Sequence, residues 1–132
     1  MTAAATAIRW LIRLLALVQV ALGLSFWTGN FLDLLPLHMA GGALLVLSLW
    51  AMALLAAWAR APLGLAGLAL LWGGLVLWLG LNQSGILPGD WHWVVRVVHL
   101  LVGLAAVGQA EQLATLIAAR PYGLKVEGSR QR

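Results

Sequence analysis

The chain has 132 residues, 63% of them hydrophobic and only 9% charged; a water-soluble domain carries about a quarter charged residues, so this much apolar surface belongs in a membrane. The absence of cysteine excludes disulfides, thiolate catalysis, iron–sulfur clusters and covalent c-type haem attachment. A net charge of +4 does not point to nucleic acid, because the basic residues stand at the ends of apolar segments, where they set membrane topology.

Four stretches reach the roughly 20 apolar residues that a membrane helix needs. The first covers about 8–28, with Arg9 and Arg13 near its start. Its apolar run exceeds a signal-peptide core, and Ser25-Phe26-Trp27 is not a small-residue cleavage site, so it is expected to remain as a span. Thr28-Gly29-Asn30 ends it. The second, about 36–59, opens on Pro36, which a helix N-terminus tolerates because the missing amide is an orphan there anyway. Arg60-Ala61-Pro62 reads as a tight turn into the third span, about 62–81. Asn82-Gln83-Ser84-Gly85 and Pro88-Gly89-Asp90 make a turn-rich loop, and Asp90 suits an N-cap for the fourth span, about 91–112. Gln109, Glu111 and Gln112 read as the solvated end of that span. Residues 120–132, opened by Arg120-Pro121, form a basic polar tail. The expected fold class is all-α: an integral membrane four-helix bundle over 1–119, up-down-up-down.

Charge predicts its orientation. Arg9, Arg13, Arg60, Arg120, Lys125, Arg130 and Arg132 gather at one end, while the 28–36 and 82–90 loops hold Asp33 and Asp90 and no Lys or Arg. The positive-inside rule puts both termini in the cytoplasm of a bacterial-type inner or plasma membrane. Trp27, Trp91 and Trp93 then form an outer aromatic belt, with Trp10 and Trp58 at the inner interface. Trp50, Trp72 and Trp78 fall mid-span, where filling space between helices is the expected role. The glycines of the third span, Gly64, Gly67, Gly73, Gly74 and Gly80, are read as packing positions that let helices approach closely.

Ionisable groups inside a span are expensive and usually face a bundle interior where they do a job. His92, Arg96, His99 and Gly103 are spaced four, three and four apart, so they make one stripe on the fourth helix. On the second, His38 and Gly42 share a face. His38-Met-Ala-Gly-Gly42 and His99-Leu-Leu-Val-Gly103 repeat one pattern a helical hairpin apart, the mark of a two-hairpin internal repeat. Neutral imidazole is a good axial ligand for iron, and one histidine from each of two facing helices can hold a haem in a bundle core. Gly42 and Gly103 would give the flat ring room. Arg96 and His92 would meet its anionic propionates at the outer face. A bare metal ion held by the three histidines is a competing reading that lacks the usual carboxylate or thiolate co-ligands.

Depth leaves the partner of His38 open. Counted from Arg60, His38 stands at the outer boundary; counted from Glu111, His99 lies roughly 12 Å deep at about 1.5 Å per residue. His92 matches His38 better in level, whereas the glycine spacing and Arg96 favour His99; a tilted second helix would close part of the gap. Gln19, mid-span on a face with Gly23 and Phe26, reads first as a hydrogen bond between helices, and otherwise as a contact to a haem edge or a quinone.

On His38, Gly42, Arg96, His99 and Gly103, the 36–108 segment resembles small membrane b-type cytochromes, both the cytochrome b561 type and the four-helix half of a haem A synthase. The resemblance implies haem b, one per chain, and electron transfer with a quinone or a redox protein as partner. Met39 and Leu100 follow the histidines, and no span carries a glutamate before its end, which departs from the haem A synthase pattern. No catalytic dyad is evident, so an electron carrier is expected rather than a stand-alone enzyme. Two other classes stay open: a non-catalytic pigment-binding or assembly subunit of a larger membrane complex, and a small transporter acting as a homodimer.

Overall fold

A computed structural model describes residues 2–119; the 120–132 tail lies outside the described residues. Four helices follow one another: α1 (Thr2–Trp27), α2 (Leu35–Trp58), α3 (Leu63–Asn82) and α4 (His92–Ala118). All four are long and apolar enough to cross a membrane, and among the described residues there is no strand. The expected all-α membrane bundle is the observed architecture.

Helix ends follow local chemistry. Pro36 sits in the first turn of α2. α1 and α2 both close with a Schellman motif, in which the first residue past the cap turns left-handed and two amides reach back to orphan carbonyls. Gly29 takes that position after α1 (φ 79), with Asn30 N–H donating to Ser25 C=O at 2.9 Å. Arg60 takes it after α2 (φ 59), with Ala61 N–H donating to Ala56 C=O at 2.9 Å. α4 starts differently from expectation. Trp91 holds the cap position and no side chain caps the helix, so Asp90 does not serve as the N-cap.

α1 and α4 both run past their apolar windows, α1 back to Thr2 and α4 on to Ala118. An ion-pair cluster ties the two helices together near these ends. Arg9 Nε donates to Glu111 Oε2 at 2.7 Å, and Arg13 Nε and Nη2 donate to the Glu111 carboxylate at 2.7 and 2.8 Å. Arg13 also lies over the Trp10 ring at 4.8 Å. Charge-assisted pairs lower the cost of carrying these groups inside a helix bundle. Glu111 is thus a clamp between the first and last helices, not a solvated helix end.

The core is thickest at this N-terminal end. α2 and α4 touch across the bundle, with α1 and α3 each contacting both. Leu49, Met52 and Ala56 of α2 are fully buried with Ala106 and Leu113 of α4, Ala69 of α3 and Ile12 of α1. Small residues dominate because lipid gives no hydrophobic drive between helices and close backbone approach supplies the attraction. Trp50 and Trp72 lie between helices as expected, and each indole N–H reaches a neighbouring helix: Trp50 Nε1 to Leu70 C=O at 3.0 Å, Trp72 Nε1 to Val102 C=O at 2.9 Å. Trp78 instead is 57% exposed and faces outward, because it stands on the flank of α3 away from both neighbours.

Gly73 shows how tightly α2 and α3 meet. A β-carbon there would collide with the Trp50 indole, whose orientation is fixed by its hydrogen bond, and would lie 3.0 Å from Val46. Gly73→Ala is expected to cost about 1–3 kcal/mol through overpacking, read as a lower thermal midpoint in detergent. Gly74→Ala, where nothing lies within 4 Å, should leave the midpoint unchanged.

Candidate functional site

Packing gives way to a cavity in the opposite half of the bundle. It measures about 340 Å³ and is lined by residues of all four helices, a size in the range of small-molecule sites. His38 projects into it from the first turn of α2 and His99 from the third turn of α4. Their ring centroids are 6.5 Å apart and their planes cross at 58°. Phe26 of α1 meets the His38 ring edge-on at 5.3 Å.

That spacing has chemical meaning. An imidazole nitrogen bonds a metal at about 2 Å and lies about 1 Å from its ring centre, so two imidazoles sharing one metal have centroids roughly 6 Å apart. The two rings already stand at that separation. His38 and His99 are level with each other, contrary to the depth count from the sequence. Glu111 misled that count: it is paired within the bundle and does not mark a membrane boundary.

Three buried polar atoms on this cavity have no hydrogen-bond partner: Gln19 Nε2, His38 Nδ1 and His99 Nδ1. Buried polar groups are nearly always paired. These three atoms are themselves enclosed by protein rather than open to the cavity. Neither histidine finds the backbone carbonyl or carboxylate that often fixes a ligand imidazole; their surroundings are glycine and aromatic surface instead.

Each histidine is seated against a glycine of the preceding helix. A β-carbon at Gly23 of α1 would lie 3.8 Å from His38 Cε1, and one at Gly80 of α3 would lie 3.3 Å from His99 Cε1. The glycines singled out in the sequence act otherwise. Gly103 faces open cavity with nothing within 4 Å, while Gly42 lies against Gln19 Oε1. Gly80, read from sequence as a packing position only, is a site residue. Nothing in the spacing along α3 alone reveals it; the clue is its place relative to Gly23.

The rim is polar on one side. Arg96 lines it, is exposed, and makes no ion pair or hydrogen bond among the described residues. His92 also lines the cavity, but its Nδ1 lies 3.3 Å from Ile86 C=O, which ties the α3–α4 loop to α4. The ring facing His38 is that of His99. Among the described residues no group of three or more His, Cys, Asp or Glu comes together to hold a bare metal ion, so the three-histidine reading has no geometric support.

The lining repeats with the hairpins. On α1 it includes Gln19, Gly23 and Phe26; at one constant offset stand Val76 and Gly80 of α3 and Gln83 just past its end, all lining as well. On α2 it includes His38, Gly42 and Ala43; the α4 counterparts His99, Gly103 and Leu104 line it too. The lining positions of the two hairpins therefore correspond, and each hairpin contributes one histidine.

No protein-family model, curated protein or solved structure matches this chain.

Proposed function

We propose that this chain is a membrane haem protein that carries electrons, with His38 and His99 as the residues that would hold one haem b. The observation that carries this reading is the 6.5 Å separation of two imidazoles across a cavity lined by all four helices. When bound, a haem supplies a one-electron couple whose potential the protein sets through axial ligands, burial and nearby charge.

The residues divide that work. His38 and His99 would hold the haem from opposite walls. Gly23 and Gly80 leave their rings space to stand. Leu45 and Val76 close the inner end of the cavity and exclude water. Arg96 offers a cation at the rim, suited to the anionic edge of a haem, and His92 stands beside it. A bound anion would in turn offset the cost of an arginine in this segment. The positive-inside pattern supports a rim toward the outer side of a bacterial-type inner membrane, with both termini in the cytoplasm. The partner that exchanges electrons there is a lipid-soluble quinone or a redox protein.

The test is the reduced-minus-oxidised absorption spectrum of protein purified in detergent. One haem per chain, with a Soret band and split α and β bands on reduction, is the expected result. A preparation that stays colourless after haem supplementation overturns the proposal. Arg96→Leu should keep the bands and lower the midpoint potential, because removing a cation disfavours the electron-rich state. Loss of one unit charge at the rim predicts a fall on the order of tens of millivolts, measurable by redox titration.

A further inference from the structure

The cluster that ties α1 to α4 is not balanced in charge. Two guanidinium groups, of Arg9 and Arg13, meet the single carboxylate of Glu111. Among the described residues neither arginine has another acidic partner. One positive charge is therefore left over, and Arg13 stands well inside an apolar helix, where an uncompensated charge is expensive.

Both arginines also keep donors in hand. Each turns its Nε and Nη2 toward Glu111, so the Nη1 groups find no acceptor among the described residues. Their side chains remain open to the surroundings, 34% and 38% exposed. Beside Arg9 a notch of about 40 Å³ opens between α1 and α4, and Thr2 and Thr6 line it. At about 10–15 Å³ for each water-sized oxygen, the notch has room for phosphate oxygens, with hydroxyl donors on its wall.

The neighbouring surface is apolar. Arg13 lies over the Trp10 ring, and Trp10, Leu14 and Leu17 are exposed along one face of α1, spaced four and three apart as helical neighbours are. A free anion would have to leave water for the flank of this helix, whereas an anion carrying its own hydrocarbon is already in the membrane. A zwitterionic headgroup brings a cation along with its phosphate, and the one carboxylate that could meet that cation is held by both arginines.

We propose that Arg9 and Arg13, with Thr2 and Thr6, bind the phosphate of an anionic phospholipid whose hydrocarbon lies along Trp10, Leu14 and Leu17. The lipid supplies the negative charge that the cluster lacks, and the chain holds it at a defined place between its first and last helices. The site stands at the opposite end of the bundle from the His38–His99 cavity and does not depend on the haem reading.

Native mass spectrometry of the protein in detergent, with phosphatidylglycerol and phosphatidylcholine supplied in equal amounts, reads the preference. The wild-type chain should retain phosphatidylglycerol about fivefold over phosphatidylcholine, the effect of one basic charge at a membrane surface. Arg13→Gln leaves Arg9 and Glu111 balanced and should bring the ratio close to one. Glu111→Gln breaks the same clamp but doubles the surplus charge, so its ratio should rise by about another fivefold. A cluster that only holds two helices together would instead make both variants shift the same way. An excess of inorganic phosphate should leave the bound lipid in place. Equal retention of the two lipids by the wild type, an unchanged ratio in Arg13→Gln, a ratio that fails to rise in Glu111→Gln, or displacement of phosphatidylglycerol by phosphate overturns the proposal.

Discussion

His99→Ala is expected to reduce bound haem to less than about a tenth of one per chain, with any residual haem high-spin. The loss of a partner that merely steadies a ligand costs about 10–100-fold in metal affinity; the loss of the ligand itself costs at least that. No substitute stands ready. His92 is the nearest alternative in sequence, but its Nδ1 lies against Ile86 C=O in the α3–α4 loop. The fold should survive, since Leu49, Met52, Ala106 and Leu113 pack at the other end of the bundle and the Arg9–Arg13–Glu111 cluster ties α1 to α4 there. Haem per chain, measured beside a thermal melt, separates loss of ligand from loss of structure. His92→Ala should keep its full complement. An unchanged low-spin spectrum in His99→Ala would mean that a different residue holds the iron.

Gly80→Leu should empty the site with both histidines intact. A single β-carbon at this position would already lie 3.3 Å from His99 Cε1, tighter than an ordinary van der Waals contact. Leucine adds a branched group that must displace the imidazole. A metal–nitrogen bond of about 2 Å does not tolerate a shift of that kind, so haem affinity should fall at least about tenfold, comparable to losing a supporting residue around a metal site. Gly64→Leu, at a position with nothing within 4 Å, is the control and should bind normally. Equal haem content in the two variants would show that His99 does not need its present seat.

Much of this was legible in the chain because membrane helices are governed by a few strong rules. Apolar length marks the four spans, Gly29 and the Arg60 turn end the first two, and His38 and His99 stand out as ionisable groups in lipid. The shared His–Gly spacing along α2 and α4 also puts one histidine of each hairpin on the cavity. What stayed hidden depends on neighbours in space. Glu111 looked like a boundary because its two arginine partners lie 102 and 98 residues away, and that error set His38 and His99 at different depths. Gly80 looked like any small residue of α3 because its significance is the His99 ring on another helix. Trp78 and Trp72 occupy the same helix, but only contact with α4 decides that one is anchored to Val102 and the other turns outward.

The arrangement can be tested at the iron itself by electron paramagnetic resonance of the ferric protein. Two imidazole nitrogens would make the iron of a bound haem low-spin, giving a low-spin ferric signal. That signal, lost on changing either His38 or His99 to alanine, is the predicted result. A high-spin ferric signal in the wild-type protein would contradict the account, because it would mean that the two histidines do not share one iron.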